Sequence, residues 1–330
     1  MLDLLKPLEN CKLTLNNRLV MPPMATSKSE EDGKVSKGIL EYYDEKSRGG
    51  FISLIIIEHS FITIKGKASD RQLCVADDSM VKGLKELAAV IHKNGSKTVM
   101  QINHAGSAAN EKVTGHAPVG PSAIANPRLG KVPSELTIEE IKVIISEFAS
   151  AARRTKEAGF DGVEIHSAHG YLLNQFFSPL TNKREDEYGG EIAGRIKIHL
   201  EIIKAVREIV GNDFPILLRL GGCDYIEGGT TIEDSMIASI AFEKVGVDML
   251  DISGGFCGYT IPGNTSQGYF APITLAIKEV TKIPVLLAGG ITQVGAAQKL
   301  LADGKADLIG VARAIYKDSK WAENAIKSIE

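Results

Sequence analysis

The sequence has few cysteines and no pair of them at a metal-binding spacing. The four cysteines, Cys11, Cys74, Cys223 and Cys257, are widely separated, and the chain contains no C-x-x-C. This spacing excludes a closely spaced cysteine zinc site or an iron–sulfur motif, and it predicts reduced thiols in a cytosolic protein. We therefore expect these thiols to be buried and to take no part in chemistry.

An excess of charge of one sign is also absent. Lysine and arginine together number 38 and aspartate and glutamate 41, which gives a net charge of −3 over 330 residues. This near balance gives no electrostatic reason to expect nucleic acid or an acidic membrane surface as a partner. The densest apolar run, residues 51–57, is far too short to span a bilayer, and the polar N-terminus does not resemble a signal peptide. The sequence predicts a cytoplasmic globular protein.

Two motifs of nucleotide-binding sheets are missing, because neither G-x-G-x-x-G nor a P-loop occurs. Instead, one pattern repeats: a short apolar run, a polar loop, then a longer segment with helical spacing. Near-continuous apolar runs are typical of parallel strands covered on both faces. Eight such units predict an α/β fold, the (β/α)8 TIM barrel, with residues 1–330 as a single domain. The predicted strands are Leu19–Met24, Ile52–His59, Thr98–His104, Gly162–His166, Ile216–Leu220, Asp248–Ser253, Val285–Gly289 and Leu308–Ala312.

The segments between these runs have the spacing and end signals of helices. Thr137 followed by Glu140 is typical of a capping box at a helix start. Gly159, Gly211 and Gly246 stand where helices should end, because glycine adopts the left-handed conformation without a Cβ clash. The predicted helices are Leu40–Arg48, Met80–Lys93, Ile138–Ala158, Ile196–Val210, Ile232–Val245, Pro272–Val280, Gln293–Ala302 and Lys320–Ile329.

Polar residues at the carboxyl ends of the predicted strands are the candidates for chemistry, because barrel enzymes build their sites there. Gln101, Arg219 and the pair His166 and His169 occupy such positions. A metal-dependent lyase would need several convergent ligands, and two histidines without a third predict no metal site. The glycine-bearing loops after the last two strands lie where barrels bind phosphate. An amide and a cation opposite a phosphate cradle suit flavin mononucleotide, FMN.

Several longer motifs are specific enough to indicate a family. They are NRLVMPPM at residues 17–24, QINHAG at 101–106, DGVEIHSAHGY at 161–171 and NQFFSPLTNKREDEYGG at 174–190. Together with residues 218–219, 288–290 and 310–313, they resemble the old yellow enzyme family of FMN-dependent NAD(P)H oxidoreductases over essentially the whole chain. The resemblance implies an enzyme that takes hydride from NADH or NADPH and reduces an activated alkene, such as an enone or nitroalkene, or a related small acceptor.

The resemblance also implies roles for individual residues. His166 and His169 would donate hydrogen bonds to an oxygen of the substrate, and Tyr171 would supply a proton to its α-carbon. Gln101 would bond the pyrimidine edge of the flavin, and Arg219 would stabilise negative charge on the reduced ring. The remaining predicted flavin contacts are Pro22, Pro23, Met24, Ala25, His59, Gly289, Gly290, Ala312 and Arg313, and Ser27 is a further predicted substrate contact.

Other polar residues of these motifs are expected to be structural. We expect His104 to orient the loop after the third strand. A brace for the fourth loop is predicted from four residues, Arg184, Asp186, Tyr188 and Arg195. The chain also departs from the family pattern. Ala25 replaces a Thr or Cys that often contacts the flavin C4 carbonyl in relatives, His59 replaces a residue that is small in many of them, and Gly194 replaces an asparagine.

Other functions of the same barrel stay open at this point. An amine dehydrogenase or demethylase, an enoyl-thioester reductase and a flavin-binding protein without turnover would all use it. The absence of cysteine motifs argues against the first, and the presence of His166, His169 and Tyr171 argues against the last. The sequence does not name the acceptor or choose between NADH and NADPH, and it is compatible with a homo-oligomer.

Overall fold

Eight parallel strands close into a barrel in the computed structural model, which describes residues 3–9 and 12–330. The ten strands within the described residues are β1 (Leu19–Met21), β2 (Leu54–Phe61), β3 (Lys97–Asn103), β4 (Val119–Gly120), β5 (Ser134–Glu135), β6 (Gly162–Ser167), β7 (Ile216–Gly221), β8 (Met249–Ser253), β9 (Val285–Ala288) and β10 (Leu308–Gly310). The barrel order is β1-β10-β9-β8-β7-β6-β3-β2, and β4 pairs only with β5. The predicted TIM barrel is confirmed.

Helices cover the outside of the barrel and fill its loops. They are α1 (Lys37–Ser47), α2 (Val81–Lys93), α3 (Glu111–Thr114), α4 (Ile138–Glu157), α5 (Leu172–Phe177), α6 (Ile192–Arg195), α7 (Lys197–Val210), α8 (Ile232–Lys244), α9 (Ala271–Val280), α10 (Val294–Ala302), α11 (Arg313–Lys317) and α12 (Trp321–Lys327). The predicted capping box is present, since the Glu140 N–H donates to Thr137 Oγ1 at 3.2 Å and the Thr137 N–H to Glu140 Oε2 at 2.9 Å. No helix of the described residues is long and apolar enough to cross a membrane.

The predicted element bounds were wrong by a few residues in places. β1 ends at Met21 rather than Met24, because Pro22 and Pro23 have no N–H to continue the ladder. β10 ends at Gly310 rather than Ala312. The short helices α3, α5, α6 and α11 escaped prediction because four to six residues cannot establish a helical period.

The lower end of the barrel interior, where the strands begin, is closed by apolar side chains. The N-terminal segment folds back here, because the N–H groups of Leu8 and Leu15 donate to each other's carbonyls at 2.9 and 3.1 Å. Its leucines pack against the inner faces of the strands, in a buried layer that comprises Leu8, Leu13, Leu15, Val20, Leu54, Ile56, Val99, Leu217, Met249, Leu286 and Leu308. The N-terminal segment therefore seals the barrel from below.

Candidate active site

The inner face of the barrel becomes polar towards its upper end, where the strands finish. Because alternate residues of a strand share a face, Leu217 of the lower layer is followed inside the barrel by Arg219. Strand register then pairs Gln101 with Glu164 and Arg219 with Asp251. Gln101 Nε2 donates to Glu164 Oε1 at 2.7 Å, and Arg219 Nε lies 3.2 Å from Asp251 Oδ2. Two acidic groups, an amide and one cation thus form a polar layer.

Charge in this layer is unevenly balanced. Burial raises the pKa of Glu164 well above its usual value, and the nearby Asp251 raises it further, while Arg219 opposes the rise. Burial also raises the pKa of Asp251 against the opposing charge of Arg219. One guanidinium therefore faces two buried carboxyl groups, and the pKa of each carboxyl group is raised.

A cavity of 480 Å³ opens above the polar layer at the barrel mouth. Its volume is typical of small-molecule and cofactor sites. The structure brings together in its lining nearly all the residues predicted for the site, namely Pro22, Pro23, Met24, Ala25, His59, Gln101, His166, His169, Tyr171, Arg219, Gly289, Gly290, Ala312 and Arg313. Ser27 is the exception, because it is exposed on the loop after β1, with a φ of 54°, and does not line the cavity.

Three rings form one wall of this cavity. The ring centre of His166 lies 5.2 Å from those of both His169 and Tyr171. Nδ1 of His166 is buried without a hydrogen-bond partner among the described residues, whereas Nε2 of His169 shares a 2.7 Å hydrogen bond with Ser253 Oγ. Burial lowers the pKa of both histidines well below the usual value, and nearby positive charge adds to this. Both imidazoles are therefore neutral and can each donate one N–H.

The opposite end of the cavity has the features of an anion cradle. Gly289 and Gly290 have φ values of 124° and 70°, and a Cβ on Gly290 would lie 2.6 Å from the Tyr269 ring. Within the described chain, the backbone N–H groups of Gly290, Ala312 and Arg313 donate no hydrogen bond. Free N–H groups beside a guanidinium are suited to a phosphate.

The polar layer also leaves hydrogen-bonding atoms for a ligand above it. Arg219 makes no hydrogen bond to the described residues, since its 3.2 Å contact with Asp251 lacks hydrogen-bond alignment. Buried polar groups without partners are costly unless a ligand or water completes them. A ligand with a polar ring at one end and a phosphate at the other fits this cavity, and FMN has both.

The loop after β1 presents backbone and apolar atoms to the cavity. The neighbouring Thr26 turns its side chain away, because Thr26 Oγ1 accepts from the Lys28 N–H at 3.2 Å. Burial raises the pKa of Glu58 to about 7, and hydrogen bonds from Thr26 to that carboxyl group oppose the rise. The Thr26 side chain is thus engaged elsewhere, and Ala25 contributes only a methyl group to the cavity lining.

Several cavity residues escaped prediction. Ser253 ends a predicted strand but was not predicted as a site residue, although its hydroxyl shares a hydrogen bond with Nε2 of His169. The others in the lining are Tyr259, Tyr269, Phe270, Ala288, Ile291, Gly310 and Tyr316. Three of these aromatic residues lie within or next to residues 254–269, a loop with no periodic pattern, so no sequence signal could have identified them.

Residues predicted to be structural occupy structural positions. His104 Nδ1 accepts from the Gly106 N–H at 3.0 Å and so fixes the loop after β3. Arg184 binds Asp186, and Arg195 donates to the Phe177 carbonyl at 2.9 Å, as expected of a brace for the fourth loop. No group of three or more possible metal ligands occurs among the described residues.

The prediction that the cysteines are buried was only partly correct. Cys74 is buried, but Cys223 and Cys257 are half-buried because they lie on the loops at the barrel mouth rather than in the core. Cys11 lies outside the described residues.

The family model for the NADH:flavin oxidoreductase / NADH oxidase family matches residues 3–330. The chain belongs to this family. It is 41% identical over 319 residues to an NADH oxidase of Thermoanaerobacter brockii, covering 95% of this chain and 49% of that protein. It is 38% identical over 307 residues to an NADPH dehydrogenase of Clostridium acetobutylicum, covering 93% of this chain and 89% of that protein. The chain thus spans about half the length of some curated relatives and most of the length of others.

Solved structures of this family superpose on the whole chain. A 2-naphthoyl-CoA reductase in complex with 2-naphthoyl-CoA has a TM-score of 0.94 at 29% identity, covering 99% of this chain and 52% of that one. An old yellow enzyme homologue from Zymomonas mobilis has a TM-score of 0.86 at 27% identity, covering 99% and 93%. At the level of the family, the predicted old yellow enzyme fold, the flavin FMN and a nicotinamide dinucleotide as reductant are confirmed.

Proposed function

We propose that this chain is an FMN-dependent NAD(P)H oxidoreductase that reduces a carbon–carbon double bond conjugated to a carbonyl or nitro group. The observation that supports this most strongly is the wall formed by His166, His169 and Tyr171, which faces the same cavity as Gln101 and Arg219. Bound FMN would supply the two-electron relay between the nicotinamide and the acceptor.

The protein's own residues would divide the work between binding and protonation. Gln101 and Arg219 would hold the pyrimidine edge of the flavin, and Gly290, Ala312 and Arg313 its phosphate. His166 and His169 would donate hydrogen bonds to the acceptor oxygen and so polarise the double bond towards its β-carbon. Burial raises the pKa of Tyr171, and this keeps the hydroxyl protonated until it delivers its proton to the α-carbon.

An enoyl or aryl thioester is the second candidate acceptor. One superposable structure, at a TM-score of 0.94, holds 2-naphthoyl-CoA. A thioester carbonyl could use the same two histidines as an enone carbonyl. A panel of enones, nitroalkenes and enoyl thioesters, assayed without oxygen, would rank these acceptors directly.

The histidine assignment is tested with phenols, which mimic the acceptor oxygen and give a charge-transfer band against bound flavin. We expect His166→Ala and His169→Ala to weaken phenol binding roughly tenfold or more, since each removes a hydrogen bond to a charged oxygen, while FMN stays bound. His92→Ala is the matched control, because His92 contacts Asp161 outside the cavity. Unchanged phenol affinity in both cavity variants would contradict the assignment.

We further propose that residues 1–330 act as one FMN-binding domain and that the protein works in the cytoplasm. The closed barrel uses strands from Leu19 to Gly310, which leaves no separate unit between them. The described cysteines are free thiols, as a reducing compartment would keep them. Limited proteolysis that released a stable fragment of the barrel would contradict the single domain.

A further inference from the structure

An arginine that the family motifs do not include lies beside the cavity, in contact with the backbone of His169, although its side chain does not line the cavity itself. Arg128 belongs to the long loop between β3 and α4, and its Nη1 donates to the His169 carbonyl at 2.9 Å. A Cβ placed on Gly258 would lie 3.3 Å from Cζ and from both Nη atoms of Arg128, so the flat face of the guanidinium covers this glycine. Arg128 therefore joins the loops that follow β3, β6 and β8 at the backbone of His169, a proposed acceptor-binding residue.

The backbone of Arg128 is held in place by a buried asparagine. Asn126 Oδ1 accepts from the N–H groups of Arg128 and Leu129 at 2.9 and 3.3 Å. Asn126 Nδ2 donates to Ser107 Oγ at 2.8 Å, which ties the turn to the buried side of the loop. Much of the cost of ordering this turn is therefore met before any ligand arrives.

The charge of Arg128 has no carboxylate partner. Among the described residues, its only side-chain hydrogen bond is the one to the His169 carbonyl, and no acidic group lies at ion-pair distance. A guanidinium has five N–H donors, so most of them remain free. The charge also reaches the cavity, because it opposes the rise that burial causes in the pKa of Tyr171.

We propose that Arg128 binds an anionic group on the acceptor, so that the preferred acceptor is a negatively charged unsaturated compound rather than a neutral enone. This inference rests on the proposed function, since it takes the acceptor oxygen to lie at the two histidines. Tyr259, whose ring centre is 6.3 Å from that of His169, lines the cavity and follows Gly258 in the chain. The fork of the guanidinium matches a carboxylate or a phosphate.

The test compares two phenols that differ in the charge and in one methyl group opposite the hydroxyl, bound to the FMN-loaded full chain. 4-Hydroxybenzoate carries a carboxylate opposite its hydroxyl, whereas methyl 4-hydroxybenzoate is neutral there. We expect the native chain to favour the acid relative to the ester by roughly three- to tenfold at low salt, and less in concentrated salt, as for a partly exposed ion pair. Arg128→Gln should remove this preference and leave ester affinity unchanged.

Lys131→Gln is the matched control, because Lys131 is an exposed cation of the same turn whose side chain makes no described contact with the mouth. If Arg128→Gln weakened the binding of both phenols equally, Arg128 would only brace the loops. This result would overturn the inference. So would a native chain that binds both phenols equally and does not bind coenzyme A. The proposed function would survive either result, since it fails only if neither phenol depends on His166 or His169.

A second comparison separates the two sources of the anion. Free coenzyme A carries phosphates but no reducible bond. Competition by coenzyme A against the methyl ester, lost in Arg128→Gln, would show that Arg128 binds the phosphates of a thioester acceptor. Preference for 4-hydroxybenzoate without such competition would show that it binds a carboxylate on a small acceptor.

Discussion

The two ends of the barrel interior use the same strands in opposite ways. At the lower end the inward side chains are apolar and fully packed, and the N-terminal leucines complete the layer. One pleat higher, β3, β7 and β8 carry Gln101, Arg219 and Asp251, and β6 adds Glu164. Several polar atoms of these side chains have no partner among the described residues. A buried polar atom left unpaired costs free energy that apolar packing does not. The apolar packing of the lower end therefore offsets the free energy that the unpaired polar atoms of the upper end cost.

The largest expected effect tests whether stability resides in the lower layer. Leu54→Ala should lower the free energy of unfolding by about 2–5 kcal/mol, because it truncates a fully buried side chain and leaves a cavity in its place. Urea unfolding followed by circular dichroism measures this loss. FMN affinity should stay unchanged. A large loss of FMN affinity would mean that the two ends are not energetically separate.

Acid should act mainly on the upper end. Burial lowers the pKa of His104 to about 4, while the unfolded chain titrates near 6.5, so the unfolded state binds the proton first. The stability that this neutral histidine contributes is present above pH 6.5 and is lost as the pH falls towards 4, by about 3 kcal/mol. His104→Gln should flatten the dependence of the urea midpoint on pH over this range. An equal slope in the variant would contradict the assignment.

Removing the cation of the upper layer should affect the flavin more than the fold. Arg219→Leu should weaken FMN binding roughly 10- to 100-fold, since contacts to a charged group contribute about 1.5–3 kcal/mol. It should also lower the reduction potential, because the cation no longer stabilises a negatively charged reduced ring.

Arg207→Leu is the control at the lower end, where Arg207 pairs with Asp248 at 2.6 Å. It should reduce stability without changing the FMN affinity or the reduction potential of the flavin. Fluorescence titration measures the affinity, and dye equilibration measures the potential. An unaltered potential in Arg219→Leu would place that side chain away from the flavin ring.

The smallest effect concerns Ala25. A threonine there could donate a hydrogen bond to the flavin C4 carbonyl, and the side chain of Thr26 is already engaged by Lys28 and Glu58. A neutral hydrogen bond contributes about 0.5–1.5 kcal/mol, which corresponds to roughly 10–30 mV for two electrons. Ala25→Thr should raise the reduction potential by this amount. Ala25→Val should not, because valine has the shape of threonine but no hydroxyl group. Equal potentials in both variants would defeat the idea.

The sequence was informative where a residue's role depends on its own strand. Gln101 and Arg219 each follow an apolar run, so their position at a strand end could be predicted without knowing their neighbours. The proximity of Glu164 to Asp251 could not, because it depends on the register of β6 against β7 and of β7 against β8. The reach of Arg128 over Gly258 depends on two irregular loops, whose conformations have no sequence period.

The N-terminal leucine plug has a kinetic consequence. With the lower end closed by Leu8, Leu13 and Leu15, every ligand of the cavity enters and leaves at the mouth. If a nicotinamide dinucleotide and an acceptor both stack on the flavin ring, they must enter through this one opening and occupy the cavity in turn. Each should then act as a competitive inhibitor of the other's half of the cycle, and turnover should fall at high concentrations of either.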